Sequence, residues 1–515
     1  MAVESTTQER NGRNWKIEAV RRKLDASERE IEVAEKHLAG LRKQQCGLKE
    51  ELNANTAAIL SLPIEILVEI FLLLIRQTQD ATVLRSQIPV PFIIGGVCKA
   101  WRNTAWATPR IWETIAITFS SARIKSQNQL LQEWIYRSAS CPLYVYLKSE
   151  SLDVDTEYES EYEDEDEDLR YYYPPEETFA ILFACSDRWR ILDARISNNF
   201  IQEVASGNIR LPALYELCLS VRNCGMYNVA ELNWDLSSSH TLKRVDLTMQ
   251  NHHLLTIDWH NLSHLKVCIE PVEWLRILQS CPSLESCSLV YAKYLDESLQ
   301  PNSTQTFISL SNLLTLSITA TPSTAGTILG FITAPKLESF TLDLLKAMGE
   351  TWSGETVHFL RRSSCPLTGL DLLNIRTSEY VLISLLATLK TITRFNLTMT
   401  AYPPSSISHA FINALNPSVE KGFMPNLKEL SLEGTFTPDA DQTTLLDMIK
   451  ARLAPPQPED DSPATVKIQK LHITYFNQGW TQKMNPNSLQ SFYHEVNKLS
   501  DAGASLRIFW KDVGY

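Results

Sequence analysis

The sequence predicts an α/β chain, with a helical N-terminal part followed by a long solenoid of strand–helix repeats. Three observations predict it. Apolar residues recur every seven positions from residue 17, and two dense apolar segments with helical spacing follow. From residue 214 a short leucine template returns ten times.

The heptad region comes first. One row reads Ile17, Leu24, Ile31, Leu38, Gln45, Leu52 and the other Val20, Ser27, Ala34, Leu41, Leu48, Asn55, with mostly Glu, Lys, Arg and Gln between them. This is a coiled-coil pattern of about five heptads. The expectation is a disordered polar tail over 1–14, then a coiled-coil helix over 15–56, roughly 60 Å long if continuous. Ser27, Gln45, Asn55, Gly40 and Gly47 dilute the pattern, and a single solvated helix satisfies it too. Pairing with a partner, including self-association, is one expected role.

The second element is "LPIEILVEIF", residues 62–71. Pro63 suits a first helical turn, where its missing N–H is no loss. Ile66, Leu67, Ile70 and Phe71 then fall at i, i+1, i+4 and i+5, and Leu74 continues the stripe. Glu65 and Glu69 sit early, where the helix dipole favours carboxylates. After a polar linker comes "FIIGGVCKAWRNTAWATPRIWETI", in which Val97, Trp101 and Ala105 share a helical face with Cys98 beside them. Trp101, Trp106 and Trp112 crowd into twelve residues, either as a hydrophobic plug or as an anchor for another protein.

Residues 149–176 are expected to be a disordered acidic loop, because dense like charge and paired prolines cannot offset the entropy of ordering. Asp and Glu supply eleven of the residues in 153–168 without one base, so most of the net charge of −12 is local. The remaining chain has no basic stripe, which argues against a nucleic-acid binder.

The repeats occupy 178–515. "LYELCL" at 214, "LKRVDL" at 242, "LSHLKV" at 262, "LESCSL" at 284 and "LLTLSI" at 313 share one pattern, L-x-x-L-x-L. "LESFTL" at 337, "LTGLDL" at 367, "ITRFNL" at 392, "LKELSL" at 427 and "IQKLHI" at 468 continue it, 20 to 41 residues apart. The last two apolar positions differ by two, as on one face of a strand. Stretches between copies, such as "PVEWLRILQSC" and "YVLISLLATLK", have helical spacing. Each unit is therefore strand plus helix, and stacking builds the core. The reading is an irregular leucine-rich repeat solenoid, whose strands line its concave side and turn the variable positions outward. Those positions include Tyr215, Glu216, Lys243, Arg244, Glu338, Arg394, Lys428 and Glu429, whose mixed signs name no ligand. "LRIFWKD" at 506–512 reads as a closing strand after a helix over 487–500.

Little points to chemistry. No Gly-rich phosphate loop, G-x-S-x-G or H-E-x-x-H is present. His252, His253, His260 and His264 run into a predicted strand, where i and i+4 lie about 13 Å apart, so no metal is expected. The ten cysteines lack C-x-x-C pairs, and Cys287 takes an apolar template position. Neither cofactor nor catalysis is expected. The polar start and the absence of a long apolar run point to a cytoplasmic or nuclear protein with no membrane contact.

With that architecture in view, "LPIEILVEIF … VCKAWRNTAWATPRIW" resembles the F-box motif, in the F-box-like form of the large families of mushroom-forming fungi. Those proteins join a short coiled coil, an F-box and an irregular leucine-rich array in this order. The resemblance implies a short helical F-box domain over 57–118 that docks a Skp-type adaptor and, through it, a cullin–RING ubiquitin ligase. On this chain Leu62 and Pro63 match the opening pair, and Ile66, Leu67, Ile70 and Phe71 the apolar face of the first helix. Val97, Cys98 and Trp101 match the second half, with Arg102 its following base. The polar stretch 76–91 is longer than the pattern. The implied role is a substrate-recognition subunit holding an unknown target protein on its repeats. The alternative from the residues alone is a non-catalytic scaffold independent of ubiquitin ligases.

Overall fold

The computed structural model describes residues 2–77, 89–120, 122–149, 175–197, 203–222, 233–249, 255–269, 271–291, 307–345, 351–399, 406–436, 442–455, 465–477, 494–496, 498–499 and 505–512. Most of the acidic run, the centre of the polar linker, His252, His253 and most of the expected helix over 487–500 lie outside them. The chain divides into two compact units, Met1–Glu113 with Trp134–Cys141, and Thr114–Glu133 with Pro142–Tyr515.

The first unit is helical. Helix α1 spans Ala2–Thr56 without a break, about 80 Å at 1.5 Å per residue. It starts at Ala2 rather than at residue 15, because nothing in the polar leader forbids a helix: the leader has no proline. Gly40 and Gly47 stay in the helix. A 3-10 turn at Ala58–Ser61 leads to α2 (Ile64–Gln77), followed by α3 (Val90–Val97) and α4 (Lys99–Ala107). Cys98 separates the last two, in extended conformation, its sulfur capping the Trp101 amide.

Aromatic rings fill this unit. Trp112 lies edge-on to Trp106 at 5.2 Å and to Trp134 at 5.0 Å, and Phe92 meets all three rings. The Arg137 guanidinium stands 5.1 Å over the Trp106 ring and 5.2 Å over that of Trp112. The Trp112 indole N–H donates to the Ala105 carbonyl at 2.8 Å, which satisfies the buried polar end of the ring. Gly95 lies against the Trp106 ring, and a Cβ there would overlap the ring atoms. Gly95→Ala is therefore expected to destabilise this unit by about 1–3 kcal/mol. Gly96→Ala, next door in open space, is expected to stabilise it by up to about 1 kcal/mol. Thermal melts followed by near-ultraviolet circular dichroism test the pair, and equal melting points would refute the overlap.

The second unit is built on one large parallel sheet. Its strands are β1 (Thr114–Phe119), β2 (Leu143–Ser149), β3 (Trp189–Ser197), β4 (Glu216–Arg222), β5 (Arg244–Thr248), β6 (His264–Ile269) and β7 (Ser286–Tyr291). They continue with β8 (Thr315–Ala320), β9 (Ser339–Leu344), β10 (Gly369–Ile375), β11 (Arg394–Met399), β12 (Glu429–Phe436), β13 (Lys470–Asn477) and β14 (Ser505–Asp512). Strand order follows chain order throughout, with a two-residue strand at Ser406–Ile407 added beside β12.

Each of the ten leucine templates lands on a strand that starts two residues into it. Their fourth positions form a single ladder in register: Leu217, Val245, Leu265, Cys287, Leu316, Phe340, Leu370, Phe395, Leu430 and Leu471. Ile115, Val145 and Leu192 extend it at one end and Leu506 at the other. All but Leu506 are buried. Strand residues alternate between buried and half-exposed, as in the i-B-i-B-i-B pattern of β9. A doubly covered parallel sheet would bury both sets. One face is therefore core and the other open, the signature of a solenoid-like α/β stack.

Helices return the chain between strands. They include α5 (Ile124–Arg137), α6 (Glu176–Phe183), α7 (Pro271–Gln279), α8 (Pro322–Phe331), α9 (Thr351–Ser363), α10 (Glu379–Ala387), α11 (His409–Leu415) and α12 (Gln442–Leu453). Thr321 and Ser408 cap α8 and α11, each accepting an amide three residues on. The sheet begins at Thr114, well ahead of residue 178. Residues 114–118 of the expected helical domain thus form its first strand.

Candidate functional site

Two surfaces offer themselves, one in each unit. The first is α2. Leu67, Phe71, Leu72 and Ile75 point inward and are at most 6% exposed, with the Phe71 ring edge-on to Trp101 at 4.9 Å. That set already satisfies the helix. Yet Ile66, Ile70, Leu73 and Leu74, at i, i+4, i+7 and i+8 along another side, are 39 to 53% exposed. Ile64 is exposed on the same helix, and Ile59, Leu62, Ile93 and Val97 elsewhere in the unit. Isolated exposed aliphatics need no explanation, but a second apolar stripe on one short helix does.

The nine residues singled out from the sequence therefore part company. Leu62, Pro63, Ile66, Ile70 and Val97 are exposed. Cys98 and Trp101 are half-buried at the start of α4, while Leu67 and Phe71 face the interior and fix the angle of α2. Arg102 uses its Nε to donate to the Gly95 carbonyl at 2.8 Å, tying α4 to α3. Leu73 was not singled out, although its spacing from Ile66 and Ile70 was visible. Ile93 was not either, since only the packing of α3 shows which side of it is open.

The second surface is the open face of the sheet. Ion pairs step from strand to strand along it: Lys266 to Asp246 at 2.9 Å, Arg394 to Asp371 at 2.7 Å, Lys470 to Glu429 at 2.6 Å. Asp371 also accepts from the Thr341 hydroxyl, and Arg394 reaches on to Ser339. Arg190 lies over the Tyr215 ring at 4.9 Å. Near its N-terminal end the face is mixed, with Asp193, Glu216 and Asp246 in rows with Lys148, Arg195 and Arg244. Burial, then Asp193 and Glu216, push the Tyr146 phenol up to about 12. Burial, then Glu216, Asp246 and Asp193, push the Cys218 thiol up to about 12 as well. Between these regions, β7, β8 and β9 present Ser286, Ser288, Thr315, Ser317, Ser339 and Thr341 in adjacent registers.

Chemically, both surfaces suit binding. Among the described residues no group of three or more His, Cys, Asp or Glu could hold a metal ion. His260 contacts Asp258, and His264 pairs with the Ser263 hydroxyl; burial and Arg244 lower the pKa of His264. No described helix is long and apolar enough to cross a membrane. No known protein family matches the chain, and no curated protein does.

Proposed function

We infer that this chain is a non-catalytic substrate receptor of a Skp–cullin–F-box ubiquitin ligase, working in the cytoplasm or nucleus. Its helical unit is an F-box-like module that docks a Skp-type adaptor, and its leucine-rich repeats hold the target protein. The observation that carries the reading is the second apolar stripe of α2, exposed although the helix is already anchored by Leu67, Phe71 and Ile75. A helix that must pack on its own domain and cover another protein needs two apolar faces. Such a receptor needs no chemistry of its own, because holding the target beside the ligase raises its effective concentration.

The test is a binding assay of the full-length chain on an immobilised Skp-type adaptor, beside an Ile66→Asp/Ile70→Asp variant. Both substitutions fall on exposed positions, so circular dichroism should be unchanged. Interface anchors commonly contribute 2 kcal/mol or more, so the pair is expected to lose at least thirtyfold in affinity. No binding by the parent chain would leave the second reading, a repeat scaffold independent of ubiquitin ligases.

A further inference from the structure

The helix α1 carries a surface that the adaptor reading does not use. Its outer side is laced with i,i+4 ion pairs, Lys36 to Glu32 at 2.8 Å and Arg22 to Glu18 at 3.8 Å. The heptad side carries Val20, Leu24, Ile31, Leu38, Leu41, Leu48 and Leu52, each 46 to 65% exposed. Seven large aliphatics on one side of a solvated helix call for an apolar partner surface.

We propose that α1 pairs with α1 of a second copy of this chain, antiparallel, about a twofold axis near Glu35–His37. In an antiparallel pair each residue of one heptad row faces a residue of the other row. Centring the pair near residue 36 sets Leu24 against Leu48, Ile31 against Leu41 and Val20 against Leu52. The same register sets small against large where the rows are imperfect, with Ala34 facing Leu38. Ser27, one of two polar interruptions in this stretch, faces Gln45, the other. A parallel, in-register pair would instead stack Ala34 on Ala34 and Ser27 on Ser27, leaving voids at two layers, and bury Gln45 against itself. Flanking charges do not choose between the two. Across the antiparallel pair Glu28 meets Arg42 and Lys23 meets Glu51, but Arg21 faces Lys49 and Glu35 its own copy. The parallel pair joins Lys23 to Glu28 and opposes Glu30 to Glu35, so the core layers carry the orientation. The twofold is self-consistent, since every contact made by one copy is returned by the other.

Light scattering on the full-length chain at tens of micromolar should give twice the mass of 58.5 kDa. An Ile31→Asp/Leu41→Asp variant should elute as a monomer with the thermal unfolding of the sheet unit unchanged. Orientation is read by disulfide exchange in a Cys46→Ser background, because Cys46 is exposed near the seam. Mixed and oxidised, Leu24→Cys and Leu48→Cys chains carrying different tags should form covalent dimers of one chain each, and neither alone should. Cross-linking of either variant with itself would overturn the antiparallel register, as would a dimer that cross-links in no mixture. A monomeric parent chain would overturn the pairing altogether. None of these outcomes depends on whether the adaptor binds.

Discussion

Replacing Arg452 by leucine is expected to lower the stability of the sheet unit by about 3–5 kcal/mol, measured as the change in free energy of chemical denaturation. Arg452 is 0% exposed, in the last turn of α12. Its Nε donates to the Leu415 carbonyl at 2.7 Å, its Nη1 to that of Met424 at 3.0 Å and its Nη2 to that of Phe423 at 3.0 Å. Leu415 ends α11, so its carbonyl is one of the four that a helix C-terminus leaves without an internal partner. Met424 has φ +45°, in the left-handed region that a methionine seldom visits, and its carbonyl is held by this side chain. Burial lowers the guanidinium pKa to about 10, so the group stays charged at neutral pH. Swapping a buried charge for an apolar side chain can be neutral when both partners leave together. Here the three carbonyls remain and lose their donor in a dry site. Arg452→Lys is expected to fall between, because a single ammonium cannot reproduce the planar fork. A loss under 1 kcal/mol for Arg452→Leu would show that water or a backbone shift replaces the bonds.

This residue also shows where sequence reading stops. "KARLAPP" looks like the ordinary basic end of a solvated helix, and nothing local marks its arginine as fully buried. The strands were far easier to see. All ten leucine templates became strands, because a period of two with aliphatic residues leaves few other structures that bury the same face. The first three strands were missed although each carries the end of the template. Ile115-x-Ile117, Val145-x-Leu147 and Leu192-x-Ala194 supply the paired apolar positions, but Trp112, Pro142 and Trp189 stand where the leading leucine would be. A template that admitted tryptophan would have found two of them, and both tryptophans are buried. On α2 the sequence revealed apolar residues on several sides but not which side is covered. That depends on Trp101 and Phe71 meeting across two helices, a tertiary fact. The helix of α1 was legible because its described side chains from residue 20 to 52 are exposed, so local periodicity governs it.

Raising the pH from 7.5 to 10.5 is expected to remove several kcal/mol from the sheet unit, with the buried thiols as a principal cause. Cys281 is 0% exposed, and burial pushes its pKa from 9.0 up to about 12. Cys287, beside it in the core ladder, is raised for the same reason and by the neighbouring thiol. Tyr146 and Cys218, half-buried on the open face beside Asp193 and Glu216, shift in the same direction. In each case the fold favours the protonated form. Between pH 9 and 12 the unfolded chain has released the thiol proton while the native chain still holds it. The unfolded state then binds fewer protons, and stability falls as pH rises. The contribution is complete below pH 9 and is lost on the way to 12. For Cys281 the whole difference corresponds to ~4 kcal/mol, of which about half is gone by pH 10.5. The diagnostic comparison is with Cys281→Ala/Cys287→Ala under reducing conditions. That variant starts less stable at pH 7.5, since it opens small cavities in the core, but it should lose less on going to pH 10.5. An equal loss in both chains would mean that the thiols ionise in the fold as readily as in the open chain. Their burial, with Cys287 in the core ladder between Leu265 and Leu316 and Cys281 fully covered ahead of that strand, argues against that outcome.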